Sequence, residues 1–424
     1  MVFRHHTTQA LCGDAHRDFI THVAFDIYGR RIATASSDMT VCVWDSSPSG
    51  GEWTRTASWK MHFGPVWRVR WAHPEFGQIL ATCSFDKTVQ IHEEIGNQTP
   101  SRLARSGIQV GRGEAPCNWV RRCIFRESPT NVTDIQFAPH YMGLMLATGA
   151  KNGVIRIYEA PDIMNLAQWD LVAEIDLITE VMVANGLEAP PTLLQRELSQ
   201  LQVKDYSAAG AQEQSTKDKE KETTREQKDI LLIDLRISSI CWSTCRFQRT
   251  LLAAATDSEE EKANCVLFLE YVEEKKKFYW LKDLTIKELG PVSEIAFAPS
   301  SGRIFHQLAV AIVNEVLIYN IHTTEVHEVV EPEKAVTIGN VRRKPTVIQR
   351  MDYKAGLIAG VNSKGVFIWR ISWNPTGTIL SLGCCDGSVY MWKRHQGNVF
   401  KQIAYREPGF STGERKVPKR HPYY

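Results

Sequence analysis

An all-β chain assembled from six copies of one four-stranded antiparallel sheet is what this sequence predicts, and two observations carry that reading. The phrase "ILATCSFDKTVQIHE" (79–93) recurs as "IATASSDMTVCVWD" (32–45), "MLATGAKNGVIRIYE" (145–159) and "ILSLGCCDGSVYMWK" (379–393). Each copy reads as two apolar strands pinched about a turn that bears Asp or Asn. A unit repeated at this scale is an architecture before it is a reaction site.

Six segments share one grammar, taken in chain order. A first apolar strand ends in an aromatic residue: Phe25, Trp71, Phe137, Trp242, Phe297 or Trp373. A reversal follows, marked by Gly29, Pro74, Pro139, Pro299 or Pro375 in five copies, as antiparallel strands require. A second strand runs into a tight turn at Asp38, Asp86, Asn152, Asp257, Asn314 or Asp386. Asp and Asn suit that place because their short side chains cap turn amides and tolerate left-handed backbone. A third strand closes on a ring: Trp44, His92, Tyr158, Phe268, Tyr319 or Trp392. The step from turn residue to ring is six in four copies, five after Asn314, and eleven after Asp257, where "SEEEK" lengthens the hairpin. A fourth strand fits between copies, as in "EWTRTASW" (52–59) and "NVFKQIAYRE" (398–407). Four antiparallel strands per unit, repeated, are the blades of a β-propeller. One blade cannot bury both its faces, but neighbours can bury them for it.

The rest of the chain sets the domain plan. Residues 1–13 read as an N-terminal extension, 14–175 as blades one to three, and 230–408 as blades four to six. Between them, 176–229 is a charged insertion. Its "KDKEKETTREQKD" (217–229) has too little to bury to fold alone. Upstream, Leu194, Leu198 and Leu201 lie at helical spacing behind a Thr192-x-x-Gln195 capping box. "NVRRKP" (340–345) reads as an inter-blade loop, and 409–424 as a basic disordered tail.

Composition narrows the function. Of 424 residues 43% are hydrophobic and 23% charged, as in ordinary globular proteins. A formal net charge of +2 gives no reason to expect nucleic acid as a partner. No run of eighteen apolar residues offers a membrane span, and the start of the chain has no secretory signature. The ten cysteines, with no Cys-x-x-Cys pair among them, are therefore expected as thiols in the cytosol or nucleus.

No nucleophile elbow, P-loop or His-x-x-x-His zinc pair occurs. No catalytic, metal or cofactor residues are assigned, and an enzyme is not expected. His92 reads as a packing ring and Asp38, Asp86 and Asp386 as turn holders. A reader of phosphorylated or acidic peptides, using Arg68, Arg70, Arg121 and Arg122 at a funnel mouth, is the alternative.

The six copies supply their own strands in order, from about Phe19 to Tyr405, and little before Asp14 reads as a spare strand to lock a ring. The first and last blades are therefore expected to be unstitched, with the gap filled by strands from another protein. The first strand, with Phe19, Ile20, Val23 and Phe25, is the expected seam.

Finer phrases narrow the resemblance. "ASWKMHFGPVWRVRWAHPEFGQILATCSFDKT" (57–88), "DIQFAPHYMGLMLAT" (134–148) and "IRIYEAPDIMNLAQW" (155–169) resemble the Seh-type WD-repeat nucleoporins, the Sec-thirteen homologues. "RIYEAPDIMNL" sets the chain apart from the related COPII vesicle-coat subunit. The resemblance implies an open six-bladed propeller whose seventh blade comes from an α-solenoid nucleoporin. It implies membership of the Y-shaped outer ring of the nuclear pore, with other outer-ring nucleoporins as partners and a share in mRNA and protein transport. It further implies a place in the lysosomal or vacuolar complex that regulates TOR nutrient signalling, and visits to kinetochores.

Overall fold

A computed structural model describes residues 15–47, 52–95, 118–177, 236–330 apart from 247, 259–263, 288 and 301, and 346–406. Twenty-four strands form six four-stranded antiparallel sheets, each from four consecutive strands in the order of the chain. The first holds β1 (Ile20–Phe25), β2 (Arg31–Ser36), β3 (Thr40–Ser46) and β4 (Trp53–Lys60). The second holds β5 (Val66–Trp71), β6 (Ile79–Ser84), β7 (Val89–Glu94) and β8 (Trp119–Phe125). The third holds β9 (Val132–Phe137), β10 (Met145–Ala150), β11 (Val154–Glu159) and β12 (Asp170–Asp176). The fourth holds β13 (Ile237–Trp242), β14 (Leu251–Thr256), β15 (Val266–Val272) and β16 (Lys277–Trp280). The fifth holds β17 (Val292–Phe297), β18 (His306–Ile312), β19 (Glu315–Val330) and β20 (Thr346–Asn362). The sixth holds β21 (Ile368–Trp373), β22 (Ile379–Cys384), β23 (Val389–Arg394) and β24 (Phe400–Arg406). The expected all-β, six-bladed architecture is thus what the chain adopts. Each of the six aromatics predicted to end a first strand does so.

Two compact units are distinguished, 1–240 with 256–264, and 241–255 with 265–424. In the first, Ala33, Ala35, Val41 and Val43 pack with Val66, Val69, Leu80 and Trp119, joining the first sheet to the second. Ile79, Ala81, Val89 and Ile91 then meet Val132, Ile135 and Leu146 of the third. In the second unit, Leu251, Ala253 and Phe268 pack with Val292, Leu308 and Val310, and Ala309, Val316 and Ile318 with Ile371, Leu380 and Leu382. Small residues on the middle strands let sheets approach closely. A Cβ added to Gly149 would come within 2.8 Å of the Ile237 side chain.

The tight turns differ from expectation in one detail. The left-handed residue is not the acid but its successor: Met39 (φ 71°), Lys87 (φ 69°), Gly153 (φ 78°) and Gly387 (φ 82°). At Asp38, Asp86 and Asp386 the carboxylate reaches across that residue to the next amide, so the acid itself stays in ordinary backbone. In the fifth sheet the strained position precedes the amide, at Val313 (φ 43°). Glycine relieves this strain because it lacks the Cβ that crowds the following carbonyl. Gly387→Val, at an exposed turn, is therefore expected to lower stability by about 1–2 kcal/mol in a urea titration. An unchanged midpoint would show that the turn relaxes.

β19 and β20 run to 16 and 17 residues and pair from Glu315↔Asn362 to Val330↔Thr346. "NVRRKP" lies outside the described residues. The strands flanking it belong to one sheet, so it connects strands within a blade and not two blades. The expected extension 1–13, the tail 409–424, and the insertion 176–229 apart from Asp176 and Leu177, with its capping box and leucines, also lie outside the described residues.

Candidate partner-binding edge

β1 is the edge strand of its sheet, with β2 alone beside it. A bulge between Ile20 and His22 breaks the simple alternation expected along the strand. After it, the strand has two unlike faces. His22 is buried, the Thr21 hydroxyl donates to the Val66 carbonyl, and Ala24 packs into the cluster shared with the second sheet. The Trp71 indole N–H donates to the Ala24 carbonyl at 3.0 Å. Phe19, Ile20, Val23 and Phe25, by contrast, are 54%, 51%, 45% and 58% exposed. Ile27 and Tyr28, in the turn after β1, continue the exposed apolar row and were not among the residues the sequence reading singled out. Their signal was two large apolar residues at a reversal ("FDIYGR") where polar ones are usual.

The other face of the first sheet is thinly covered. Its buried apolar cluster is Ile32, Cys42 and Trp44, with Ala15 and Trp53 packed on it; the face toward the second sheet contributes six residues (Ala33, Ala35, Val41, Val43, Ala57 and Trp59) to the cluster they share. A comparable asymmetry marks the sixth sheet. β22 alternates half-buried and buried residues, whereas β6, β10 and β14 are buried along their whole length. Val399, Ile403 and Tyr405, at and beside β24, are exposed.

The turn residues build the corners that hold these strands. Asp38 Oδ1 accepts from the Thr40 amide and hydroxyl at 2.8 and 2.5 Å, and Oδ2 from the Arg17 amide at 2.7 Å. His16 completes a network: Nδ1 lies 2.9 Å from Thr40 Oγ1 and Nε2 2.7 Å from Thr34 Oγ1, which also accepts the Trp44 indole N–H at 3.2 Å. Asp86 repeats the arrangement with Thr88, the Phe63 amide and His62, whose Nε2 lies 2.8 Å from Thr82 Oγ1. Burial works against the Asp86 carboxylate. The hydrogen bonds from His62, Thr88 and Phe63 outweigh it and hold the carboxyl well below the usual range.

The remaining turns are plainer. Asp386 accepts from the Ser388 amide at 2.8 Å, and the Asp257 amide donates to the Arg236 carbonyl. Asn314 acts through its carbonyl, which takes the Ser363 amide and hydroxyl. The buried Asn152 side-chain amide has no hydrogen-bond partner among the described residues. Its turn is held by the Gly153 amide donating to Ala150.

The closing rings Trp44, His92, Tyr158, Phe268 and Tyr319 are buried, and Trp392 is half-buried. His92 is fully enclosed, 5.4 Å from the Trp59 ring. The arginines of the peptide-reader alternative are largely committed elsewhere. Arg68 is buried against Asp134 at 3.2 Å, Arg70 Nε donates to the Ile135 carbonyl, and Arg122 pairs with Glu93 at 2.6 Å. Arg121 is exposed. Among the described residues no three His, Cys, Asp or Glu side chains gather as a metal site.

Six such sheets, with acid- or amide-bearing turns and enclosed rings, define a WD-repeat β-propeller, and the family model "WD domain, G-beta repeat" matches residues 7–45, 53–93 and 361–393. Nucleoporin SEH1 of Homo sapiens is 36% identical over 390 residues, covering 91% of this chain and 84% of that protein. The Bos taurus protein of that name is 36% identical over 389 residues (91% and 84%), and the Danio rerio one 35% over 390 (91% and 84%). The chain belongs to the nucleoporin SEH1 family.

Proposed function

We propose that this protein is a structural scaffold subunit of the outer-ring, Y-shaped complex of the nuclear pore, and that its first sheet accepts a seventh blade from an α-solenoid nucleoporin. The observation that carries the reading is the bare apolar row Phe19, Ile20, Val23 and Phe25 on an edge strand whose other residues are packed. An exposed strand edge with large apolar side chains is an aggregation liability that a donated blade removes. Each edge hydrogen bond contributes about 0.5–1.5 kcal/mol net, and each fully buried large apolar side chain about 1.5–3 kcal/mol. Side-chain burial therefore dominates, and the backbone ladder sets the register.

Expressed alone, the chain should self-associate or precipitate, and co-expression with an α-solenoid nucleoporin should rescue it. Val23→Glu with Phe25→Glu should abolish co-purification while leaving the thermal transition of the chain in place. A stable monomer indifferent to that solenoid, or capture unaffected by the two glutamates, would overturn the reading.

As a scaffold the protein supports pore assembly and the mRNA and protein traffic through it, without catalysis of its own. The family resemblance further supports a second station in the complex that regulates TOR signalling at the lysosomal or vacuolar surface, and a third at kinetochores. In this plan 14–175 and 230–408 carry three blades each, and 176–229 and 409–424 are appended segments. Affinity purification with mass spectrometry, from interphase and mitotic cells, tests these assignments by the subunits that co-purify.

A further inference from the structure

We propose that the corner between the β4–β5 connection and the β6–β7 turn of the second sheet is a docking site for a short acidic peptide segment with an aromatic or large aliphatic anchor. Phe63 is 90% exposed and Phe85 37% exposed. The half-buried Trp67 ring meets Phe85 edge-on, with centroids 6.4 Å apart.

These rings stand on a fixed frame. The Phe63 amide donates to Asp86 Oδ2 at 2.9 Å, the Phe85 amide to the Pro65 carbonyl at 2.9 Å, and the Ser84 hydroxyl to the Gly64 carbonyl at 3.0 Å. The two segments are in close contact, since a Cβ on Gly64 would lie 3.3 Å from Phe85 Cβ. Ordering such a surface for a ligand costs little further entropy.

The hydrogen-bonded frame of the corner does not itself call for phenyl groups. In the first sheet the same corner is held by the Arg17 amide on Asp38 at 2.7 Å and the Ser37 amide on the Phe19 carbonyl at 2.9 Å. Arginine and serine there take the places of Phe63 and Phe85. Two solvent-facing phenyl groups that the backbone geometry does not require, on a rigid corner, are the composition of a binding surface.

Charge selects the occupant. Lys60 ends β4 three residues before Phe63, and Lys87 follows Phe85 by two; both are exposed. The carboxylate of the corner, Asp86, is turned inward onto Thr88, His62 and the Phe63 amide. An apolar centre with a cationic rim is complementary to an apolar anchor flanked by Asp or Glu. The corner is built from other residues than the bare row on β1, so the proposal stands apart from blade donation.

The test is fluorescence anisotropy of the full chain, carrying Val23→Glu and Phe25→Glu throughout so that the β1 row does not drive self-association, with a fluorescein-labelled, glutamate-rich peptide carrying a central pair of phenylalanines. Binding should weaken at least about tenfold in Phe63→Ser with Phe85→Ser. Lys60→Glu with Lys87→Glu should weaken it and flatten its salt dependence. A control peptide with lysines for the glutamates should not bind. Melting temperatures of all variants establish that they are folded. No binding of the acidic probe, equal binding of the lysine peptide, or binding indifferent to the serine pair would each overturn the proposal. So would self-association of the chain that the serine pair abolishes when the probe does not bind, since a second copy would then be the occupant.

Discussion

Asp134→Ala is expected to destabilise the protein by about 3–5 kcal/mol, the cost of stranding a buried charge, read as a lowered urea midpoint at unchanged slope. The Asp134 side chain has no exposure and that of Arg68 3%. Asp134 Oδ1 faces Arg68 Nε at 3.2 Å and accepts the Ile135 amide at 2.9 Å, with an Arg70 nitrogen at 3.8 Å. Oδ2 accepts the Ser239 hydroxyl at 2.9 Å and the Ile240 amide at 3.0 Å. One carboxylate thus ties β9 to β5 on one side and to β13 on the other. Alanine would take from the buried Arg68 guanidinium the carboxylate it faces, and from the Ile240 amide this acceptor. Asp134→Asn, which keeps the shape and some acceptors, should cost less. Arg68→Met with Asp134→Leu should recover much of the loss, because the desolvation of both charges disappears together. A double variant no better than Asp134→Ala would show that the hydrogen bonds to Ser239 and Ile240, and not the charge, hold the sheets together.

That carboxylate also shows where sequence reading stopped. Strand order, the first-strand aromatics and the enclosed rings were legible because they recur at fixed steps, and a repeated unit constrains each copy in the same way. What recurs less strictly was harder to read. His16 and His62 complete the corner networks from 22 and 24 residues ahead of their aspartates, in the unpatterned segments that precede β1 and β5. Asp134 and Arg68 sit at matching places in neighbouring copies, opposite Gly149 and Cys83. They pair only because the sheets stack, a relation that no period within one copy encodes. The left-handed residue fell one place later than the acid because the capping carboxylate must span a residue to reach its amide. The long β19–β20 hairpin continues an alternation past the usual strand length, and only pairing with a partner strand decides where such an alternation ends. The bare row on β1 was half legible: apolar residues mark the strand, but exposure depends on what packs beside it.

His92 replaces the tryptophan of the first sheet, and the replacement should make the protein acid-sensitive. In the first sheet the Trp44 indole N–H reaches Thr34 Oγ1. In the second, Thr82 Oγ1 meets His62, and neither ring nitrogen of His92 has a hydrogen-bond partner among the described residues. Complete burial, with the charges of His62 and Arg121 adding to it, pushes the imidazole pKa down to about 3. The unfolded chain takes up this proton near pH 6.5, while the folded chain resists it until about pH 3. The stability contribution is therefore intact above pH 6.5 and is lost as pH falls from there toward 3, at up to about 1.4 kcal/mol per pH unit. By pH 5 the loss is about 2 kcal/mol. His306, pushed down to about 4 by burial, adds a second proton to the same window. His92→Phe removes the two unsatisfied nitrogens and keeps a ring against Trp59. It should be more stable than the parent by about 1–3 kcal/mol at pH 7.5, and the gap should widen by about 2 kcal/mol at pH 5. Some acid sensitivity should persist in the variant, because His306 still titrates. Urea midpoints of parent and variant at the two pH values decide the matter. Parallel losses on acidification would mean that His92 is protonated as readily in the folded chain as in the unfolded one, and that its enclosure opens on the timescale of titration.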